Sequence, residues 1–498
     1  MNVHADVTKE VERQPEGAHI GAFFDFDGTV IAGFSVKSFV QEQLRRGDIG
    51  PREFAELTAT FANFSLGRMG FSALMVASSK MMKGVPEQQY IDFGEELYEK
   101  HLSRLIYPES RALIEAHLDK GHTVALISSA TRYQVEAAAQ DLGFQHILYT
   151  EMEVEDGVFT GNVISPTCYG EGKMTAASKL AEEVDIDLEK SFFYTDSHED
   201  LPLLEGVGHP QVLNPTKKLV SIAERRGWPI RRFRSRGRPK MTDYLRTAAA
   251  TFSLVPTFAA SLPIQMLTGS KREALNYSTS LFGDTAAALI GLHLNTRGEQ
   301  HLWSHRPAVF IFNHQSQADA VIIPKLLRRD IAGVGKKEIK EDNYIIGKIF
   351  EYGGTVLIDR KDGQSAVEAM QPLVDTLRNE GRSVVLSPEG TRTIGPKLAP
   401  FKKGAFHLAI QAEVAIVPIV IHNSCDVQPK GDWVYRPGTV EIDVLPPVDT
   451  SDWTVETIDQ HVADVRQMFL DTLGQTEEDE DEADVIEGAE VEEEDTDV

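Results

Sequence analysis

Cysteine is nearly absent: Cys168 and Cys425 are the only two in 498 residues, and they lie far apart in the chain. That excludes a disulfide framework and a cysteine-based metal cluster, and it fits a reducing compartment. Positive charge is short as well. There are 50 Lys and Arg against 76 Asp and Glu, a net charge of −26. This excludes a dedicated nucleic-acid binder, because phosphate neutralisation needs a basic face. Fourteen of the acidic residues, and no Lys or Arg, lie between 477 and 498, so the remainder carries −12. The first twenty residues have no apolar h-region; no signal peptide is expected, and the catalytic bulk is expected to be cytoplasmic. What is present is ordinary: 42% hydrophobic and 25% charged residues, at a length suited to two to four domains.

Residues 1–18 are polar and charged, and disorder is expected there. A buried strand, IGAFF, then runs into DFDGT, and residues 35–105 read as helices inserted as a cap. TVALIS (123–128), SFFYT (191–195) and QVLN (211–214) are further strands followed by helical periodicity. Residues 19–230 therefore read as an α/β domain with a parallel sheet. Six basic residues in ten follow at 231–240, then 24 residues without charge at 247–270 and a second apolar segment at about 277–294. Pro256 and Pro263 dilute the first segment, and Asp284 interrupts the second. Residues 231–296 are thus read as a basic linker with helices that lie in one membrane leaflet; a buried helical hairpin is the alternative. AVFIFN (308–313), GTVLID (354–359), SVVLS (383–387) and AIVPIVI (415–421) mark a second α/β domain over 297–474, and 475–498 reads as an acidic disordered tail.

Asp25 and Asp27 stand two apart at the end of a buried strand, so both carboxylates point to one side. Buried there, they are costly unless a cation or a substrate uses them. Ser128 ends a second strand, Lys173 opens a helix after CYGEG, and Asp196 and Asp200 end a third strand in TDSHED. Order and type resemble the haloacid-dehalogenase superfamily, in particular its phosphoserine-phosphatase-like branch, over 19–230. The resemblance implies that Asp25 is a nucleophile forming an aspartyl-phosphate, and that Asp27 is the general acid and then the base. It implies that Ser128 and Lys173 hold phosphoryl oxygens. Mg²⁺ would be bound by Asp25, the Asp27 carbonyl and Asp196, with Asp200 a nearby ligand or the group that orients Lys173. Ser129-Ala130 stand where that branch has glycines, and VIAGFSVKSF after Thr29 lacks its acidic substrate contact. The phosphatase substrate is left open.

FNHQSQAD places His314 and Asp319 five residues apart just after a buried strand; they are not neighbours on one helical face, and a turn at His314 would be needed to bring the carboxylate back to the imidazole. Arg360 ends the strand GGTVLIDR, and SPEGTR supplies Glu389, Gly390, Thr391 and Arg392 at the end of the next. Two arginines at strand ends suit a phosphate monoester. With VPI (417–419), these motifs resemble the glycerolipid acyltransferases, most closely the 1-acylglycerol-3-phosphate acyltransferases, over about 297–450. KKEI (336–339) is similar to a further segment of that family. The resemblance implies that His314, oriented by Asp319, deprotonates an acceptor hydroxyl that attacks an acyl thioester. Arg360, Arg392 and Thr391 would bind the acceptor phosphate, with Glu389 and Gly390 shaping the pocket. Together the two resemblances imply a fold of two α/β domains: a Rossmann-like haloacid-dehalogenase domain with a helical cap, and an acyltransferase domain, joined by a membrane-associating helical segment. They imply a bifunctional phospholipid-synthesis enzyme on the cytoplasmic side of a membrane, taking acyl-CoA and lysophosphatidic acid. Glycerol-3-phosphate or another lysophospholipid as acceptor, with a regulatory or phosphoserine-type phosphatase domain, is the alternative.

Overall fold

The computed structural model describes residues 5–48, 50–66, 68–237, 239–336, 344–358 and 365–476. The chain divides into two compact units, residues 1–238 and 239–498.

The first unit opens with α1 (Ala5–Glu12) and β1 (Gly21–Phe24), then α2 (Ser35–Arg46), α3 (Pro51–Ser65), α4 (Phe71–Ser79), α5 (Glu87–Leu97) and α6 (Pro108–Asp119). β2 (Thr123–Ile127), α7 (Arg132–Asp141), β3 (His146–Leu148), the hairpin β4 (Met152–Glu155) and β5 (Val158–Val163), and α8 (Glu171–Glu183) follow. β6 (Phe192–Thr195), α9 (Leu201–Gly206), β7 (His209–Leu213), α10 (Lys217–Arg226) and β8 (Ile230–Arg231) complete it. The sheet order is β3-β2-β1-β6-β7-β8, and every pairing is parallel. β1, β2 and β6 are buried along their whole length because helices cover both faces, hence their unbroken apolar runs. Strand order reverses at β1: the chain first moves out to β2 and β3, then returns to the other side at β6. Such a switch point leaves a crevice at the carboxyl ends of β1 and β6.

Disorder is expected over residues 1–18, but the described part, residues 5–18, is ordered. α1 buries Val11 against the domain, and its Glu10 pairs with Arg231 on the edge strand β8. The basic stretch 231–240 is likewise not a free linker over its first half. Phe233 stacks edge-on with Tyr107 and its N–H donates to Asn214, while the Ser235 hydroxyl donates to Glu109.

The second unit contains α11 (Met241–Ala259), α12 (Ser261–Thr268), α13 (Lys271–Ile290), β9 (Leu292–Arg297), α14 (His301–Ser304), β10 (Val309–Phe312), α15 (Asp319–Leu327), β11 (Ile331–Lys336), β12 (Val356–Ile358), β13 (Ser383–Leu386), β14 (Ile416–Ile421) and β15 (Gly438–Val444). Helices at Gly404–Ala412 and Ile458–Leu473 cover one face. The sheet runs β12-β11-β13-β10-β14-β15-β9, with β14 and β15 antiparallel and the rest parallel. β10 lies at its centre.

Two expectations change here. β9 is an integral edge strand, so the sheet begins before residue 297. The second apolar segment is not free to meet lipid: α13 buries Ala286, Ala287 and Ile290 in a core shared with Phe310, Val417 and Ile419. Gly283 marks how closely α13 crosses α15, because a Cβ there would sit 2.5 Å from the Lys325 amide nitrogen. Asp284, which breaks the apolar run, bonds Lys325 at 3.0 Å and Arg328 at 2.9 Å. α11 behaves in the opposite way. It turns the small residues Thr247, Ala250, Ser253 and Thr257 inward, while Phe252 remains 74% exposed. On α12, Met266 and Leu267 are 86% and 84% exposed. A water-facing amphipathic helix has the reverse arrangement.

Candidate active sites

β1 ends in Asp25, whose N–H donates to the Tyr194 carbonyl of β6, so the carboxylate is delivered to the switch-point crevice. Lys173, in the first turn of α8, places Nζ 2.7 Å from Asp25 Oδ1 and 2.9 Å from Asp200 Oδ2. Thr195, the last residue of β6, donates to Asp200 Oδ2 at 2.7 Å. Asp200 is therefore occupied in orienting Lys173, and of the two roles expected for it this is the one its contacts support. Burial works against the lysine's charge, but Asp200 and Asp25 outweigh it and hold its pKa well above the usual value.

Asp27 points beside Asp25 and accepts from the Ser35 N–H at 2.6 Å and the Ser35 hydroxyl at 3.2 Å. Burial pushes Asp27 up to about 6 against those bonds. Burial, then the carboxylates of Asp200 and Asp27, pushes Asp25 up to about 7 against the pull of Lys173. Asp196, just past β6, rises to about 8 by burial and by the charge of Asp25. Gly28 has φ +77°, and a Cβ there would overlap the Asp196 carboxylate; both facts require glycine. Ser128, at the tip of β2, is buried and its Oγ accepts the Ala130 N–H at 3.1 Å.

Three carboxylates with elevated pKa values and one lysine are a donor set short of positive charge. Hard oxygen ligands of this kind fit Mg²⁺, which takes one or two carboxylates and completes its shell with water and phosphate. Among the described residues no three acidic or histidine side chains form a ready-made cage.

The second site starts at β10. His314 lies two residues past the strand, and its Nδ1 is 2.7 Å from Asp319 Oδ2 at the start of α15. The turn between them is held by the Ser316 N–H, which donates to the same oxygen at 3.2 Å, and by the Ser316 hydroxyl on the Gln428 carbonyl. A carboxylate only accepts, so Nδ1 carries the proton and Nε2 is left as the base. Asp319 is buried, and its Oδ1 has no hydrogen-bond partner among the described residues.

Glu389 is bound to backbone on both oxygens. Its Oε1 accepts the His314 N–H at 2.5 Å and its Oε2 the Ala399 N–H at 3.0 Å. A carboxylate buried to 2% exposure on two backbone amides holds the histidine loop in place. Gly390 has φ +80°, and the Thr393 N–H donates to the His314 carbonyl at 3.0 Å, so Thr391 and Arg392 are held beside the histidine turn. Arg392 is half-buried and forms no ion pair among the described residues. Arg360 and KKEI beyond its first residue lie outside the described residues.

Sequence reading missed Thr195, Ser35 and Tyr435. Burial raises the pKa of Tyr435; the Asp319 charge adds to this and Arg392 opposes it. Thr195 had a signal, since it directly precedes Asp196 at a strand end. Tyr435 had none, being more than a hundred residues from His314.

Each unit thus carries reactive side chains at the carboxyl ends of its central strands, one set built on carboxylates and a lysine, the other on a histidine–aspartate pair. This is a two-site α/β enzyme. Residues 22–205 match the haloacid dehalogenase-like hydrolase family, and residues 293–422 match the Acyltransferase family. A 1-acyl-sn-glycerol-3-phosphate acyltransferase of Limnanthes alba is 31% identical over 193 residues, covering 39% of this chain and 68% of that one. A phosphoserine phosphatase of Mycobacterium tuberculosis is 33% identical over 229 residues, covering 45% of this chain and 74% of that one. Among solved structures, a 1-acyl-sn-glycerophosphate acyltransferase from Thermotoga maritima is 23% identical and covers 47% of this chain and 98% of its own, with a TM-score of 0.40. On the sequence matches, the chain belongs to the haloacid dehalogenase-like hydrolases in its first half and to the 1-acyl-sn-glycerol-3-phosphate acyltransferases in its second.

Proposed function

We propose that the second unit transfers an acyl group from acyl-CoA to 1-acylglycerol-3-phosphate, giving phosphatidic acid, and that the first hydrolyses a phosphate monoester through an aspartyl-phosphate. The observation that carries the first reading is the oriented His314–Asp319 pair at 2.7 Å. His314 Nε2 takes the acceptor hydroxyl proton as the oxygen attacks the thioester carbonyl, and the imidazolium, stabilised by Asp319, returns it to the departing thiolate. Arg392, with Thr391 and Arg360, binds the acceptor phosphate.

The phosphatase reading is carried by Asp25, held by Lys173 with Asp27 beside it. An Asp25 oxygen attacks phosphorus, Asp27 protonates the leaving oxygen, and Asp27 then draws a proton from the water that cleaves the acyl-phosphate. Lys173 keeps the phosphoryl charge balanced. Mg²⁺ would be held by Asp25, the Asp27 carbonyl and Asp196, where it supplies charge neutralisation for the phosphoryl group.

The exposed apolar face of α11 and α12 supports seating in one leaflet, with Phe252, Met266 and Leu267 in lipid and both catalytic units on the cytoplasmic side. The test incubates membranes holding the protein with acyl-CoA and lysophosphatidic acid, resolves all lipid products, and repeats the assay with a chelator. Phosphatidic acid should form with and without chelator, and phosphate release only without it. No phosphatidic acid, with an acylated product from glycerol-3-phosphate instead, would move the acceptor.

A further inference from the structure

A cavity of about 820 Å³ opens directly onto Asp25, Asp27 and Lys173 and extends under the cap helices of the first unit. Its far walls are apolar: Phe39 from α2, Leu57 and Phe61 from α3, Leu74 and Met75 from α4, and Phe93 from α5. The cap is closed on the catalytic loops, since Phe71 stacks on Tyr169 at 4.3 Å and the hydroxyls of Ser72 and Thr167 lie 2.9 Å apart. Phe34 lines the cavity directly before Ser35, the residue that holds Asp27, yet is 61% exposed, so the mouth is apolar too.

The charged groups in this lining decide what the cavity rejects. Lys173 and Arg46 are its lysine and arginine, and both are ion-paired: Lys173 to Asp25 and Asp200, Arg46 to Glu42 and Glu96. The Arg46 guanidinium also lies 4.8 Å from the Phe93 ring centroid. Outside the catalytic cluster the acidic lining residues are Asp48 and Glu199, which repel a second negative charge. His198, also in the lining, pairs with Glu199 at 2.8 Å, so among the described lining residues a small phosphate ester with its own carboxylate finds no unpaired cation. A phosphate ester with an uncharged apolar chain finds a phosphate site at one end and an apolar chamber behind it, of the size that encloses a small-molecule ligand.

We propose that the hydrolase unit acts on phosphate monoesters whose alcohol carries one long apolar chain, of the lysophosphatidate type, with the chain lodged under the cap. This rests on the phosphatase reading above and names its substrate class. In the reaction an Asp25 oxygen displaces the alkoxide at phosphorus, and Asp27 supplies the proton with which the lipid alcohol departs. Water then cleaves the aspartyl-phosphate to inorganic phosphate and regenerates Asp25.

The experiment measures phosphate release by the full-length protein with Mg²⁺. Substrates are butyl, octyl and dodecyl phosphate as monomers, lysophosphatidate in phosphatidylcholine vesicles, phosphoserine, and p-nitrophenyl phosphate as a reference for turnover. The expected kcat/KM rises with chain length, by up to about fourfold per methylene that enters the cavity, and at least tenfold from butyl to octyl. Phosphoserine should be poorer than octyl phosphate. M75W and F61D, on two different walls, should each lower the ratio of dodecyl to p-nitrophenyl phosphate turnover at least tenfold. Cleavage of the alkyl phosphates without cleavage of vesicle lysophosphatidate would support the apolar-chain class and assign its source as soluble. A flat or falling chain-length series with p-nitrophenyl phosphate still hydrolysed overturns the proposal alone; failure on every ester overturns the phosphatase reading with it.

Discussion

In the hydrolase unit Asp25, Lys173 and Asp200 are 6%, 2% and 2% exposed, whereas in the acyltransferase unit the His314 side chain keeps 30% exposure above an almost fully buried Asp319. The first site gathers like charges out of water and holds them with one lysine. The second buries two carboxylates, Asp319 against the imidazole and Glu389 on backbone amides, and leaves the base accessible. The difference follows the chemistry assigned to each. A phosphoryl group brings its own negative charge, so a site that takes one needs positive charge concentrated and desolvated beside it. Acyl transfer begins with a neutral hydroxyl and a neutral thioester, and one oriented base is enough to start it.

The comparison breaks most visibly if the sites are not independent. D25N should abolish Mg²⁺-dependent phosphate release while leaving acyl transfer within twofold. H314A should do the reverse, with acyl transfer falling by at least about 10²–10⁴-fold. A tenfold loss of acyl transfer in correctly folded D25N would show that the two sites are coupled. D319N should be milder than H314A but still severe, because the imidazole remains while its tautomer is no longer imposed. Equal loss in both variants would mean that the imidazole without its carboxylate partner contributes nothing, and would sharpen the view of the pair as one unit.

R392A tests the anion side of the second site. Losing a charge-assisted contact should cost about 2–3 kcal/mol in acceptor binding, roughly 30- to 150-fold in acceptor KM, with little change in the KM for acyl-CoA. An unchanged acceptor KM would move the phosphate elsewhere. The two apolar helices offer a smaller contrast. G283V, at the tight crossing of α13 and α15, should cost about 1–3 kcal/mol of stability, read as a lower urea midpoint. F252S with L267S, on the exposed face of α11 and α12, should leave stability within about 0.5 kcal/mol and that midpoint nearly unchanged. The same pair should weaken binding to anionic vesicles by roughly tenfold.

Much of both sites was legible because reactive residues sit where apolar strands stop. GAFF ending in Asp25, FFYT ending in Asp196 and VFIF ending near His314 each announce a buried strand by composition and a functional turn by the abrupt change after it. Glu389 was legible as a strand-end acid but not as a clamp on two backbone amides, since its partners His314 and Ala399 come from other loops. Tyr435 feels the charges of Asp319 and Arg392 although it lies far from both in the chain.

The sequence by itself determined the two α/β halves, the carboxylate–lysine and histidine–aspartate sets, and the acidic excess beyond residue 476. These depend on residue type and on periodicity over a few positions, which survive without knowledge of the partners. Only the tertiary structure decided that α13 is core while α11 and α12 keep an apolar face outside, that α1 is ordered by β8, and that the cap encloses an apolar chamber over Asp25. An apolar helix states that it must leave water, but not whether a sheet, a lipid or a ligand will cover it. That choice is made by whichever surface lies opposite, and the opposite surface comes from elsewhere in the chain.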